Sequence, residues 1–300
     1  MNVVETPLNF RCAGETLLGM LARPGHAPDS GSGIEVAGGV GIVIVVGGPQ
    51  TRVGSHRQFV LLSRALAAAG YPTLRFDVRG MGDSSGEVRD FETITPDIEA
   101  AIHALQTHCP AVRRVVLWGL CDGASAALLY RDETQDPRIA GLCLLNPWVR
   151  SAASLAKTQV KHYYGQRLLQ KEFWIKLLSG RLNIVRSVAE LLRKLGQAAA
   201  QPAALPSTKS TVQPGFQQRM ARSWAAFPGR VLLILSGDDY TAREFLEYTA
   251  DATDWRGLLQ QPNVSRVDIA AADHTFSSAQ WRNSVENACL KWLNWLNQDE

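Results

Sequence analysis

The sequence offers no cysteine pairs. Its five cysteines (Cys12, Cys109, Cys121, Cys143 and Cys289) are odd in number, scattered, and never in a Cys-x-x-Cys spacing. That argues against a disulfide framework and a zinc site, and for a reducing compartment. Long apolar runs are missing too: the longest, Gly39 to Val46, is too short to span a bilayer. The N-terminus has no basic region leading into an apolar core, so no signal peptide is expected and a cytoplasmic protein is. There is no Gly-x-x-x-x-Gly-Lys pattern and hence no phosphate loop. No internal repeat is visible. Nothing in the chain calls for a metal or a cofactor.

Acidic residues are nearly missing from one stretch. Residues 150–226 hold 13 Lys and Arg against 2 Asp and Glu, a balance of +11. The remainder carries 18 basic and 26 acidic residues, a balance of −8, so the modest net charge of +3 hides two unlike parts. A basic segment in an acidic body marks a separate structural unit. Otherwise the composition, 46% hydrophobic and 20% charged, is that of an ordinary globular protein.

What is present is an alternation of strands and helices. Residues 3–10 and 16–24 read as a hairpin around Ala13-Gly14-Glu15. Residues 25–38 read as a loop. Gly41–Val46 is a continuous apolar run, suited to a strand buried on both faces of a parallel sheet. A helix over 55–69, a strand over 73–77, a helix over 95–107, a strand near 115–120, a helix over 124–130 and a strand over 139–145 follow. The rhythm then breaks: 165–178 and 183–195 look helical, 196–215 reads as a mobile stretch, and 216–226 as a short helix. It resumes with a strand over 231–235, a helix over 241–250, a strand over 264–270 and a last helix over 278–296. In that helix Trp281, Cys289, Trp292 and Trp295 fall at core-packing spacing. The expected architecture is α/β: a mostly parallel central sheet flanked by helices. Residues 1–148 and 227–300 form its core, and 149–226 a basic helical insertion placed like a cap, or lid.

The chemistry centres on Gly119-Leu120-Cys121-Asp122-Gly123, an apolar strand running into a glycine-flanked turn and an Ala-rich helix. This is the pattern of a nucleophile elbow, with cysteine where serine usually stands. The helix N-terminus aimed at the sulfur favours a thiolate. A cysteine nucleophile needs a base, and the base a partner that fixes its tautomer. Of the six histidines (His26, His56, His103, His108, His162 and His274), only His274 follows the last core strand, in a loop before the final helix. The acid is expected after strand 231–235, where Asp238 and Asp239 stand side by side. Asp239 is favoured, and the other carboxylate is expected to serve as a turn or cap residue. For the oxyanion, one donor is the N–H of Asp122; Pro49 has none, so the second comes from Gln50 or Gly48, with Gln50 preferred. The stretch Phe76–Ser84 reads as a self-bonded structural turn.

Taken together, Asp77-x-Arg79-Gly80-x-Gly82-x-Ser84, Gly119-x-Cys121-x-Gly123, Gly237-x-Asp239 and Asp273-His274 resemble the α/β-hydrolase superfamily from about residue 40 to the end. The cysteine elbow, with Phe76–Ser84 and Leu235-Ser236-Gly237-x-Asp239-x-Thr241-Ala242-x-Glu244-Phe245, resembles its type-one exosortase A system-associated hydrolases. These are bacterial proteins linked with exopolysaccharide production and protein sorting. The resemblance implies cofactor-independent cleavage of a carboxylic ester or thioester through a Cys-His-Asp triad and a thioester acyl-enzyme. Transfer of the acyl group to a saccharide or carrier is the alternative. A non-catalytic scaffold on the same fold is a third reading, which the intact Cys, His, Asp set opposes. The partner is expected to be a small acyl compound, with the basic segment drawing an anionic one. That segment also raises contact with the inner membrane surface, against a cap helix burying its apolar face. No nucleic-acid motif is present.

Overall fold

The computed structural model describes residues 2–25, 36–150 and 214–298. The chain divides into two compact units, Met1–Val149 with Pro214–Glu300, and Arg150–Gln213. The helices expected at 165–178 and 183–195, and the stretch 196–213, lie outside the described residues.

The first unit is built on an eight-stranded sheet. In chain order its strands are β1 (Val3–Cys12), β2 (Glu15–Pro24), β3 (Val40–Val45), β4 (Thr73–Phe76), β5 (Arg114–Leu120), β6 (Ile139–Leu145), β7 (Arg230–Ser236) and β8 (Val264–Ile269). They lie side by side as β1-β2-β4-β3-β5-β6-β7-β8. β1 and β2 form the antiparallel hairpin, and β2 pairs antiparallel with β4; the remaining neighbours are parallel. The edge strands carry pairing-averse residues: Pro7 in β1, and in β8 Arg266 paired with Asp268 at 2.9 Å.

The helices are α1 (Gln58–Ala68), α2 (Thr95–His108), α3 (Asp122–Thr134), α4 (Phe216–Ala226), α5 (Tyr240–Asp251) and α6 (Ala279–Leu296). Strands β3 and β6 are apolar at every position because helices cover both faces. In β5, Val115 and Leu117 point to one core, with α2, α3, α4 and α5; Val116, Trp118 and Leu120 point to the other, with α1 and α6. This period of two is the pleat of the strand. Cys289 and Trp292 of α6 are buried, and the Cys289 and Cys143 sulfurs lie 3.7 Å apart as free thiols. Trp281 and Trp295 are half-buried against the same core, with Arg230 over the Trp295 ring.

One boundary differs from the sequence reading. Residues 216–226, assigned there to the insertion, are helix α4 of the main unit. Met220 and Trp224 are fully buried, and Trp224 packs edge-on to Trp255. Arg219 and Arg222 both reach Asp132 on α3, at 3.3 and 2.6 Å. Two of the segment's thirteen cations are thus occupied by an acid of the core. Among the described residues, no helix is long and apolar enough to cross a membrane.

Candidate active site

The parallel strands place their C-terminal ends, and the loops after them, along one edge of the sheet. β5 delivers Cys121 there. The residue has φ 60° and ψ −125°, a left-handed conformation that a non-glycine residue holds only under constraint. The constraint is visible. The Cys121 N–H donates to Leu145 O at 2.8 Å, and its carbonyl accepts from Trp148 N at 3.2 Å and Ala124 N at 3.1 Å. Gly119 and Gly123 make the turn possible: a Cβ on Gly119 would stand 2.4 Å from Gly123 O, and one on Gly123 would stand 2.5 Å from Val45 O. Cys121 is half-buried, whereas the other four cysteines are buried.

β7 delivers Asp239, the N-cap of α5. Its carboxylate accepts from Thr241 N at 3.2 Å and Ala242 N at 3.1 Å. The same group accepts from His274 Nδ1 at 2.9 Å. His274 follows β8 in a loop pinned by Asp273, which accepts from Thr275 N and Ser277 N, both at 3.1 Å. With Nδ1 committed to Asp239, Nε2 is the nitrogen left for Cys121, the second side chain that acts on the ring. The hydrogen bond to Asp239, and then the one to Cys121, push the His274 pKa up to about 10 against the opposing effect of burial. Burial would raise Asp239, but the hydrogen bond and charge of His274, with the two cap N–H groups, hold it below the ordinary carboxylate value. The raised value favours the protonated ring at neutral pH, with the Asp239 carboxylate on its Nδ1.

The structure thus brings Cys121, His274 and Asp239 together. Asp238 is turned away, 81% exposed and 3.6 Å from Arg243. Asp238 stands in the turn before α5, one of the two places expected for the acid that does not face histidine; the cap is Asp239 itself, whose two oxygens serve the helix N–H groups and the imidazole at once. Of the other histidines, His108 is bound to Ala104 O at its own helix end, at 2.9 Å. His56 lies in a short turn before α1, at φ 52°, and His103 is exposed on α2. His26 and His162 lie outside the described residues. Residues 77–84 form a closed structural turn. Asp77 accepts the N–H groups of Arg52 and Asp83 and pairs with the Arg52 guanidinium, while Arg79 grips Asp97 through backbone and side chain.

Two features carry no clear signal in the sequence. Asn146, fully buried at φ 44° just after β6, donates through Nδ2 to Ser236 Oγ at 2.6 Å and to His274 O at 3.3 Å. Its Oδ1 accepts from Ser236 N at 2.9 Å. It ties β6, β7 and the histidine loop into one piece; an asparagine directly after an apolar strand is the only hint of this. The second is the Asp122 carboxylate. It accepts from Gly48 N at 2.6 Å and from the N–H groups of Asp122 itself and Gly123. Burial raises its pKa, those N–H groups and the charge of His274 oppose the rise, and the net shift is upward. The N–H groups of Gly48 and Asp122 thus already hold an anionic oxygen beside Cys121. Gln50 lies two residues beyond Gly48, with its Oε1 buried and unpartnered. Among the described residues, no group of three or more His, Cys, Asp or Glu is arranged to hold a metal.

Residues 42–282 match the model of the alpha/beta hydrolase family. No curated protein matches the chain in sequence. Among solved structures, the chain is similar to an esterase of Pyrococcus furiosus, at 16% identity and a TM-score of 0.60, over 97% of this chain and 92% of that one. A thermophilic esterase from Thermogutta terrifontis superposes at 18% identity and a TM-score of 0.57, over 98% of this chain and 100% of the other. A protein of unknown function from Agrobacterium tumefaciens, described as a putative alpha/beta hydrolase, gives 15% identity and 0.56, over 98% of both chains. At these identities the likeness is one of fold.

Proposed function

The chain belongs to the alpha/beta hydrolase family, and on that footing we propose that it cleaves a carboxylic ester or thioester through an acyl-enzyme on Cys121. The observation that carries this reading is the 2.9 Å hydrogen bond from His274 to Asp239, with Cys121 on its strained turn acting on the same imidazole. The Cys121 thiolate attacks the carbonyl carbon, and the C=O electron pair moves onto oxygen. The N–H groups of Asp122 and Gly48 take up that oxyanion; their present hold on a carboxylate oxygen favours Gly48 over Gln50 as second donor. The intermediate collapses, the leaving alkoxide or thiolate takes its proton from His274, and a thioester remains on Cys121. Water, giving a proton to His274, attacks the thioester and releases the acid and the thiolate. Asp239 keeps the imidazole in one orientation throughout. The cysteine elbow and its resemblance to exosortase-associated hydrolases support a role beside bacterial exopolysaccharide production.

The test is to incubate the protein with a panel of esters and thioesters and measure intact mass. The expected result is an acyl adduct on Cys121, cleavable by hydroxylamine and absent from Cys121→Ala. A folded protein that turns over none of the panel and forms no adduct overturns the reading. An acylated product that appears only with an added saccharide or carrier acceptor moves the reading to acyl transfer.

A further inference from the structure

The mechanism above uses the N–H of Asp122 but not its side chain. That carboxylate is not a surface charge. It is held on the N–H groups of Gly48, Asp122 and Gly123, beside the nucleophile. Gly47 lies so close that a Cβ there would stand 2.0 Å from Asp122 Oδ1. The same residue forms part of the wall of a cavity of about 250 Å³, whose other walls include Val46, Val78, Met81, Phe91 and Ile94. Two further charged residues line that cavity, Asp90 and Arg89. The lining thus holds two carboxylates and one guanidinium, and Arg89 also lies 3.8 Å from Glu87.

We propose that Asp122 selects substrate by charge: the acyl group delivered to Cys121 is uncharged and apolar, seats in this cavity, and anionic acyl groups are refused. A carbonyl oxygen that takes the Gly48 N–H from this carboxylate leaves the carboxylate, on a side chain one residue from Cys121, beside the acyl substituent. An anionic substituent there meets a like charge in a partly desolvated site, where water screens poorly. An apolar one gains the cavity wall. The inference rests on the hydrolase reading and reverses the expectation, drawn from the basic segment, of an anionic substrate.

The test compares para-nitrophenyl butyrate with the mono-para-nitrophenyl ester of succinate, in wild type and in Asp122→Asn, which keeps the backbone donors. The wild type is expected to favour the butyrate by at least about tenfold in kcat/KM, and the variant to narrow that ratio about tenfold. A general rise in rate from freeing the N–H of Gly48 cancels in the ratio. Alkylation of Cys121 gives a readout independent of turnover: iodoacetate should gain on iodoacetamide in the variant. Met81→Trp, which narrows the cavity, should raise KM for the butyrate more than for para-nitrophenyl acetate. Unchanged ratios in Asp122→Asn, with Cys121 still alkylated, overturn charge selection. A folded wild type whose Cys121 resists both alkylating agents overturns the hydrolase reading beneath it.

Discussion

After β4 the chain turns through Asp77 to Ser84; after β5 it turns through Cys121 to Gly123. Both turns follow parallel strands, both contain glycine and aspartate, and both lie at the same edge of the sheet. In the first turn the charges close on one another. Arg79 meets Asp97 at 2.7 Å, with Asp97 fully buried, and Asp77 is engaged by Arg52 and by backbone N–H groups. In the second turn, among the described residues, no arginine answers the carboxylate of Asp122, which is held by N–H groups and faces a cavity. A buried ion pair with every lone pair satisfied is architecture. A charge held by donors that another oxygen can take over is equipment for a reaction.

The largest effect is expected from removing the sulfur. Cys121→Ala should lower kcat by about 10⁴-fold or more while leaving the fold intact, as checked by steady-state kinetics beside circular dichroism. The first turn should behave in the opposite way. Asp97→Asn leaves a buried Arg79 without its carboxylate, and should cost about 3–5 kcal/mol of stability in urea unfolding. The folded fraction should still alkylate at Cys121 at the wild-type rate. The double replacement Arg79→Met with Asp97→Leu should recover much of that loss.

A pH profile separates the two turns by a different route. The hydrogen bond to Asp239, and then the effect of Cys121, push the His274 pKa up from 6.5 to about 10. The imidazolium is therefore present across neutral pH and is lost as pH rises through about 10. Proton donation to the leaving group should fall with it, by about tenfold one unit above that value. The same pair stabilises the fold fully below pH 6.5, and that contribution also fades as pH rises through about 10. Asn146→Ala should slow turnover about fivefold and cost about 1–2 kcal/mol, because it frees the His274 loop and leaves Ser236 N unpaired. The smallest effect is a comparison of two inactive variants. Cys121→Gly should exceed Cys121→Ala in stability by about 1 kcal/mol in thermal unfolding, since glycine accepts φ 60° without strain.

Much of the fold was legible because its signals are local. Apolar runs such as Ile42–Val45 announce strands covered on both faces, and the glycines flanking Cys121 announce a turn where side chains cannot fit. Chain order alone picked His274 from six histidines. Meetings between distant residues were not legible. Asp122 and Gly48 are 74 residues apart and Asn146 and Ser236 are 90 apart, and no periodicity links either pair. The choice between Asp238 and Asp239 needed the direction in which each side chain leaves the β7 turn. The arginines of α4 match the basic segment and so read as part of the insertion, yet Met220 and Trp224 anchor the helix in the core.

The sheet's two edges bear on how the protein behaves in a crowded cell. Among the described residues, β1 and β8 each have one neighbour, leaving a row of backbone groups that another chain could copy. Pro7 withholds a donor in the middle of β1, and β8 sets Arg266 and Asp268 along its exposed side. An incoming strand would have to strip water from those charges or leave a carbonyl unanswered. The residues that finish the sheet thereby protect it against amyloid-like growth, and replacing Arg266 and Asp268 with valine would remove that protection while adding to the strand's own propensity.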